Sequence, residues 1–388
     1  MNDKNSKVKK EGGKNIRKKI FWVLKFAISA GITIFIIHKI TRGQNLHEIG
    51  KMLSKIPLGV FAVWMAGAFL VKASGMFMAV VRWRLLLLGH GYKIGWLHLI
   101  GSFLIGRFIG SFTPSTTGLD GWRLYDIARH THDTPASISV ILVEKITGFF
   151  VLSVLVVLTI PFGGTIILNP QWKSAFERGA WFASIILGIP MGIAFLVLMN
   201  PAVIRKFFEK LFGRKGGFGM KIKKFVDALW VYEKKKRLLL SALIAGFFVH
   251  LAQCVMYFFT GNALGLNVTL KTVLFIGPLE IAATLIPISI AGIGVRELVW
   301  ATLLGGKLGG GDAGFAAGAL MGFLGYAVGE GISLLGGPIW LARRSDYRMM
   351  REEKGGEINK NGNSDGNKNE DNYDNTGNDR EKIAESIT

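Results

Sequence analysis

Apolar residues along this chain arrive in blocks that run around the whole circumference of a helix rather than along one stripe. Six of these blocks, at about 20–37, 57–81, 136–161, 180–199, 238–264 and 313–341, are long enough to cross a bilayer. A hydrocarbon core of about 30 Å takes roughly 20 apolar residues in helix, and with no water inside it every backbone amide must be bonded within the segment. Two further stretches, about 94–131 and 270–305, are apolar but broken by Pro, Gly and charge. The pattern predicts an all-α polytopic membrane protein with about six full transmembrane helices and two interrupted segments set between them.

Charge then orders the blocks. Residues 1–19 carry eight Lys or Arg and the segment 200–237 carries twelve, so both are expected on the cytoplasmic side, together with Arg343, Arg344, Arg348 and Arg351. A full crossing by 94–131 would put the first two clusters on opposite faces. A dip that returns to the cytoplasmic face keeps them together, and a second dip by 270–305, from the outer face, brings the C-terminus back to the cytoplasm. The poorly charged loop 162–179 then falls outside, as does 38–56, where Lys39, Arg42, Lys51 and Lys55 face only Glu48. The chain divides into a basic cytoplasmic N-terminus (1–19), a transmembrane domain (20–342) and a cytoplasmic tail (343–388) rich in Asn, Asp, Gly and Lys and expected to be disordered. The first apolar block has charged flanks on both sides and no small-residue cleavage site, which predicts a retained span, and the cell membrane is the expected location.

The net charge of +21 changes this picture little. Its Lys and Arg residues cluster between apolar blocks, as topology requires, so no nucleic-acid partner is expected. The single cysteine, Cys254, lies in an apolar block and reads as a buried thiol, without a disulfide framework or a cysteine metal site. His130 and His132 have no acidic or Cys neighbours at a ligand spacing, and neither metal nor cofactor is expected.

The two broken segments repeat one pattern. From Pro114 the chain reads Pro-Ser-Thr-Thr-Gly-Leu-Asp-Gly-Trp-Arg, and from Pro287 it reads Pro-Ile-Ser-Ile-Ala-Gly-Ile-Gly-Val-Arg. Pro, a hydroxyl two residues on (Thr116, Ser289), Gly at plus seven (Gly121, Gly294) and Arg at plus nine (Arg123, Arg296) coincide. With the proposed topology this predicts two oppositely oriented re-entrant hairpins, an inverted repeat of the transporter kind. Pro disrupts the incoming helix, Gly lets the chain turn, and small hydroxyl residues satisfy freed carbonyls or cap the outgoing helix. Two helix starts facing each other, each with unpaired N–H groups and an Arg one or two turns along, would bind phosphate. The alternative is that Pro and Gly only kink two helices while the arginines snorkel or pair with acids. Glu144, Lys145, Glu280, Glu297 and Glu330 also lie at membrane depth, where an unpaired ion costs at least ~2.5 kcal/mol, so internal pairs among them are expected. Asp120, three residues before Arg123, is placed to orient it or to cap the helix, and Lys25 and Lys72 read as snorkelling or as a polar face of the bundle.

Gly106 to Phe149, with Thr113-Pro114, Gly118, Asp120, Arg123 and Glu144, and Leu285 to Ser289 running on to Gly292-Ile293-Gly294-Val295-Arg296-Glu297, together resemble the lysylphosphatidylglycerol synthase transmembrane region, a flippase-like family of membrane proteins. The resemblance spans roughly 20–342. The chain departs from it with Leu119 where a second Gly is common and Lys145 where Arg often follows the Glu, which keeps the charge but not the planar fork. In bifunctional relatives the region is linked to flipping an aminoacylated phospholipid that a separate soluble domain makes. Here the longest loop, 200–237, has 38 residues, so the resemblance implies translocation without synthesis.

The expected function is to move or hold an anionic lipid-linked phosphate, such as a phospholipid or a polyprenyl-phosphate-linked lipid. The candidate substrate-binding residues are Pro114, Thr116, Gly118, Asp120, Arg123, Glu144, Pro287, Ser289, Gly292, Gly294, Arg296 and Glu297. Two alternatives stay open. A lipid-phosphate glycosyltransferase would carry an acidic metal-binding pair in an extramembrane loop, and no Asp-x-Asp or Glu-x-Asp occurs in one. A non-catalytic subunit would present lipid to separate lipid-modifying or glycosyltransferase enzymes.

Overall fold

A computed structural model describes residues 27–39, 41, 45–113, 117–166, 227–228, 231–232, 235–285, 289, 292–308 and 311–343, with isolated positions between 174 and 195. Every regular element among them is a helix. They are α1 (Ala27–Lys39), α2 (Asn45–Ser54), α3 (Leu58–Gly89), α4 (Trp96–Ser111), α5 (Thr117–Thr131), α6 (Thr134–Ile166), α7 (Lys236–Ala263), α8 (Leu270–Leu285), α9 (Val295–Lys307) and α10 (Gly311–Leu334).

Among the described residues, helices α3, α6, α7 and α10 are the four that are long and apolar enough to cross a membrane. Of the other two expected spans, 20–37 is described from residue 27 as part of the short apolar helix α1, and 180–199 lies largely outside the described residues. The expected loop 38–56 holds the ten-residue helix α2. Leu46, Ile49 and Leu53 recur there at helical spacing, a signal the Lys residues masked. The two broken segments each form a pair of short helices. Their 16, 15, 16 and 13 residues span only about 20–24 Å each, too little to cross the hydrocarbon alone.

Helices α3 and α7 form the centre and run antiparallel. Gly67 lies against Phe259, Gly75 against Ala252 and Gly89 against Tyr232. A methyl group on Gly75 would stand 2.7 Å from the Ala252 side chain, so the glycine is what lets the two backbones approach. The antiparallel pairing has a direct consequence for the short pairs. The α4–α5 pair leaves from the end of α3 beside the start of α7, while α8–α9 leaves from the end of α7, where Gly265 packs on Ile56 ahead of α3.

Packing respects this two-fold plan. In the first half α5 packs on α6, and in the second α9 packs on α10. The incoming helices cross over: α4 packs on α10 and α8 on α6. Each half has its own apolar core. One is built around Trp83, Leu86, Leu99, Ile127 and Val143, the other around Tyr257, Phe275, Trp300, Leu304 and Met321.

Local chemistry sets the turns. The Thr113 hydroxyl donates to the Gly110 carbonyl (3.1 Å) and accepts the Gly118 N–H (3.0 Å), tying the end of α4 to the start of α5. Asp133 caps α6 by accepting the Ala136 N–H at 3.0 Å, and the Tyr92 hydroxyl donates to its other oxygen at 2.8 Å. Gly294 precedes α9 at φ 85°, a left-handed conformation that a side chain would strain. Residues 340–343 are helical and belong to a second unit, Trp340–Thr388.

Candidate functional site: a charged cavity between the two halves

A cavity of about 370 Å³ lies among α3, α4, α5, α6, α7, α8, α9 and α10. Among the described residues, six cations line it (Lys72, Arg82, Arg107, Arg123, Lys145 and Arg296) against four carboxylates (Asp120, Glu144, Glu280 and Glu330). Its formal excess is two positive charges. Ser111 near the end of α4 and Thr284, Leu285 and Gly292 around the turn of α8–α9 all face it, so the tips of the two short pairs meet on one space.

Of the predicted residues, Asp120, Arg123, Glu144, Gly292 and Arg296 line the cavity. Gly118, Ser289, Gly294 and Glu297 are not among its lining residues, and Pro114, Thr116 and Pro287 lie outside the described residues. Gly118 packs on Thr113, and Ser289 is buried.

The pairings differ from expectation in two ways. Arg123, 2% exposed, does not use Asp120. It grips Glu144 through both Nη atoms, and its guanidinium lies 4.2 Å over the Trp83 ring. Asp120 instead pairs with Lys145 at 2.5 Å. Helices α5 and α6 are adjacent, so 120 with 145 and 123 with 144 form two rungs between them, and the within-helix partner loses. Glu144 also takes Arg82 at 2.7 Å, so one carboxylate holds two guanidinium groups.

The second difference concerns Glu297. Its carboxylate accepts the Gly294 N–H at 2.7 Å and caps α9. That helix start, expected to be open to an anion, is occupied by a permanent acid three residues along. Arg296 pairs with Glu280 at 2.9 Å and stacks 4.9 Å from the Tyr326 ring.

Lys72 follows the second reading given for it, a polar face of the bundle, and lines the cavity, while Lys25 lies outside the described residues. The Lys72 ammonium donates to the Gln253 amide oxygen across the α3–α7 contact.

Arg82, Arg107, His250, Gln253 and Tyr326 also line the cavity and were not predicted as site residues. Two signals would have found most of the cations. Lys72 and Arg82 share one helical face with Gly75, Met76 and Ala79 between them, so two charges on one face interrupt an apolar block. The repeat also extends upstream: Arg107 lies seven residues before Pro114 as Glu280 lies seven before Pro287, and Ser111 and Thr284 each lie three before.

No curated protein matches the sequence. A family model does, over residues 22–328, and its family places the chain among membrane proteins of lipid metabolism or transport. The long apolar helices, the paired short helices and this match agree: the chain is a multi-pass membrane protein that belongs to the lysylphosphatidylglycerol synthase transmembrane-region family.

Proposed function

We propose that the protein binds the phosphate headgroup of an anionic membrane lipid in the central cavity and carries it across the bilayer. The observation behind this reading is the cavity's excess of cations inside a bundle of apolar, membrane-length helices. Cations at membrane depth are costly, and an excess over carboxylates favours an anionic occupant. A lipid meets this requirement while its acyl chains stay in the hydrocarbon.

In this reading α4–α5 and α8–α9 are re-entrant hairpins that enter from the cytoplasmic and outer faces. Their departure from opposite ends of the α3–α7 pair supports it, as do the basic clusters at 1–19 and 200–237, which the positive-inside rule assigns to the cytoplasmic side. The activity is translocation without lipid synthesis.

The test is a reconstituted vesicle assay with fluorescent phosphatidylglycerol, read as protein-dependent loss of protection from an external quencher. Movement no faster than in protein-free vesicles overturns translocation. Binding without movement would instead assign the chain to presenting lipid to partner enzymes, and formation of a glycosylated lipid would make it a transferase.

A further inference from the structure

The cavity's ion pairs are unequal, and the inequality identifies where an anion enters. Arg123 is 2% exposed and held by both Glu144 oxygens, so it forms part of the wall. The Arg107–Glu330 pair is different. At 3.4 Å it is longer than Arg82–Glu144 (2.7 Å), Lys145–Asp120 (2.5 Å) and Arg296–Glu280 (2.9 Å), and its side chains, like those of Lys145–Asp120, are partly exposed. Glu330 has a second holder, because the Ser111 hydroxyl donates to its other oxygen. The carboxylate can therefore stay bonded while the Arg107 Nη atoms turn away from it, with Arg107 Nε still donating to the Ser333 hydroxyl at 3.1 Å.

Beside this pair stands Lys72, whose hydrogen-bond partner is the neutral Gln253 amide. A methyl group placed on Gly329 would lie 3.7 Å from the Lys72 ammonium and 3.9 Å from an Arg107 nitrogen. The two cations thus flank one point, which the absence of a side chain at Gly329 keeps open.

Resting on the lipid-phosphate reading above, we propose that Lys72 and Arg107 form the seat of the phosphate, and that Glu330 is the carboxylate the phosphate displaces from Arg107. The forked guanidinium and the compact ammonium grip different oxygens of one phosphate. The charge around Lys72 also selects the ligand. At the seat itself Lys72 and Arg107 face Glu330, a formal excess of one positive charge, which a phosphodiester monoanion balances and a dianionic phosphomonoester exceeds.

The test uses the purified full chain in detergent, titrated with short-chain phosphatidylglycerol, short-chain phosphatidic acid and inorganic phosphate, and followed by tryptophan fluorescence. Lys72→Gln and Arg107→Gln each weaken phosphatidylglycerol binding about tenfold or more, since each removes a charge-assisted bond. Lys72→Arg restores it. Glu330→Gln tightens it about threefold by removing the carboxylate that competes for the Arg107 Nη atoms.

If the parent binds phosphatidylglycerol and either glutamine variant binds equally well, or Glu330→Gln weakens binding as Arg107→Gln does, the seat is wrong and the general reading stands. A parent that binds no anionic lipid overturns both. Tighter binding of phosphatidic acid overturns the charge match, and equal binding of inorganic phosphate overturns the lipid assignment. Should both glutamine variants at Lys72 and Arg107 fail to elute as monodisperse protein, the Glu330→Gln titration alone decides, with tightening for the seat and weakening against it.

Discussion

The two short-helix pairs carry the same Pro-to-Arg spacing, yet their arginines are held in different ways. In the first, Arg123 reaches forward to Glu144 on the next long helix, lies over Trp83, and shares its acid with Arg82. In the second, Arg296 reaches back to Glu280 on its own incoming helix, and the second oxygen of Glu280 has no partner among the described residues. The first arrangement locks α3, α5 and α6 together through one carboxylate. The second joins α8 and α9 through one hydrogen bond, with the guanidinium over the Tyr326 ring of α10. Buried guanidinium nitrogens lack a partner among the described residues in both (Arg82 Nε and Arg123 Nε, Arg296 Nη1), but the second also leaves a carboxylate oxygen to be satisfied. One half of the cavity is thus a braced wall, and the other keeps adaptable polar groups.

The largest test of this contrast is stability. Glu144→Leu strands two buried guanidinium groups and should cost about 3–5 kcal/mol or prevent folding, the range for breaking a buried pair. Glu280→Leu strands one and should cost less, as read by thermal unfolding in the same detergent. Equal losses would mean that the two halves are braced alike.

Next is the fork. Arg123→Lys cannot grip both Glu144 oxygens and should lower stability by about 1–3 kcal/mol. Arg296→Lys, which forfeits a single bond to Glu280, should change the rate of lipid movement more than the unfolding temperature. Measuring both properties on both variants sharpens the comparison, and the opposite pattern breaks it.

A smaller effect is expected at the turns. Glu297→Ala removes the cap on α9 and Thr113→Val removes the hydroxyl bridge before α5, each costing about 1 kcal/mol. Because neither side chain lines the cavity, lipid affinity should stay at the parent's value. A tenfold change in affinity with unchanged stability would return Glu297 to the binding site.

The smallest change is Gly329→Ala. Alanine is the better helix former, so stability should rise or hold within about 1 kcal/mol. The added methyl would meet the Lys72 side chain at 3.3 Å, which a flexible lysine can accommodate by shifting. A modest loss of phosphatidylglycerol affinity without loss of stability is the expected titration result.

The sequence by itself determined where the chain can cross a bilayer and where it cannot, because hydrocarbon demands long unbroken apolar helices and tolerates interruption only inside the protein. It therefore showed the four long helices now seen, the two broken segments, and the repeat that carries Arg123 and Arg296 to one cavity. It could not choose among counter-ions. Asp120 and Glu144 were both available to Arg123, and only the adjacency of α5 and α6 gave Arg123 to a residue 21 positions away and Asp120 to Lys145. Glu297 looked like a site acid in sequence and became a helix cap because the chain turns at Gly294. Lys72 and Gln253, separated by 181 positions, meet because α3 and α7 pack antiparallel through small residues. Periodicity reports which face of a helix is polar, but the partner of a charge depends on how that helix is rotated and which neighbour it meets, and both are properties of the packed bundle.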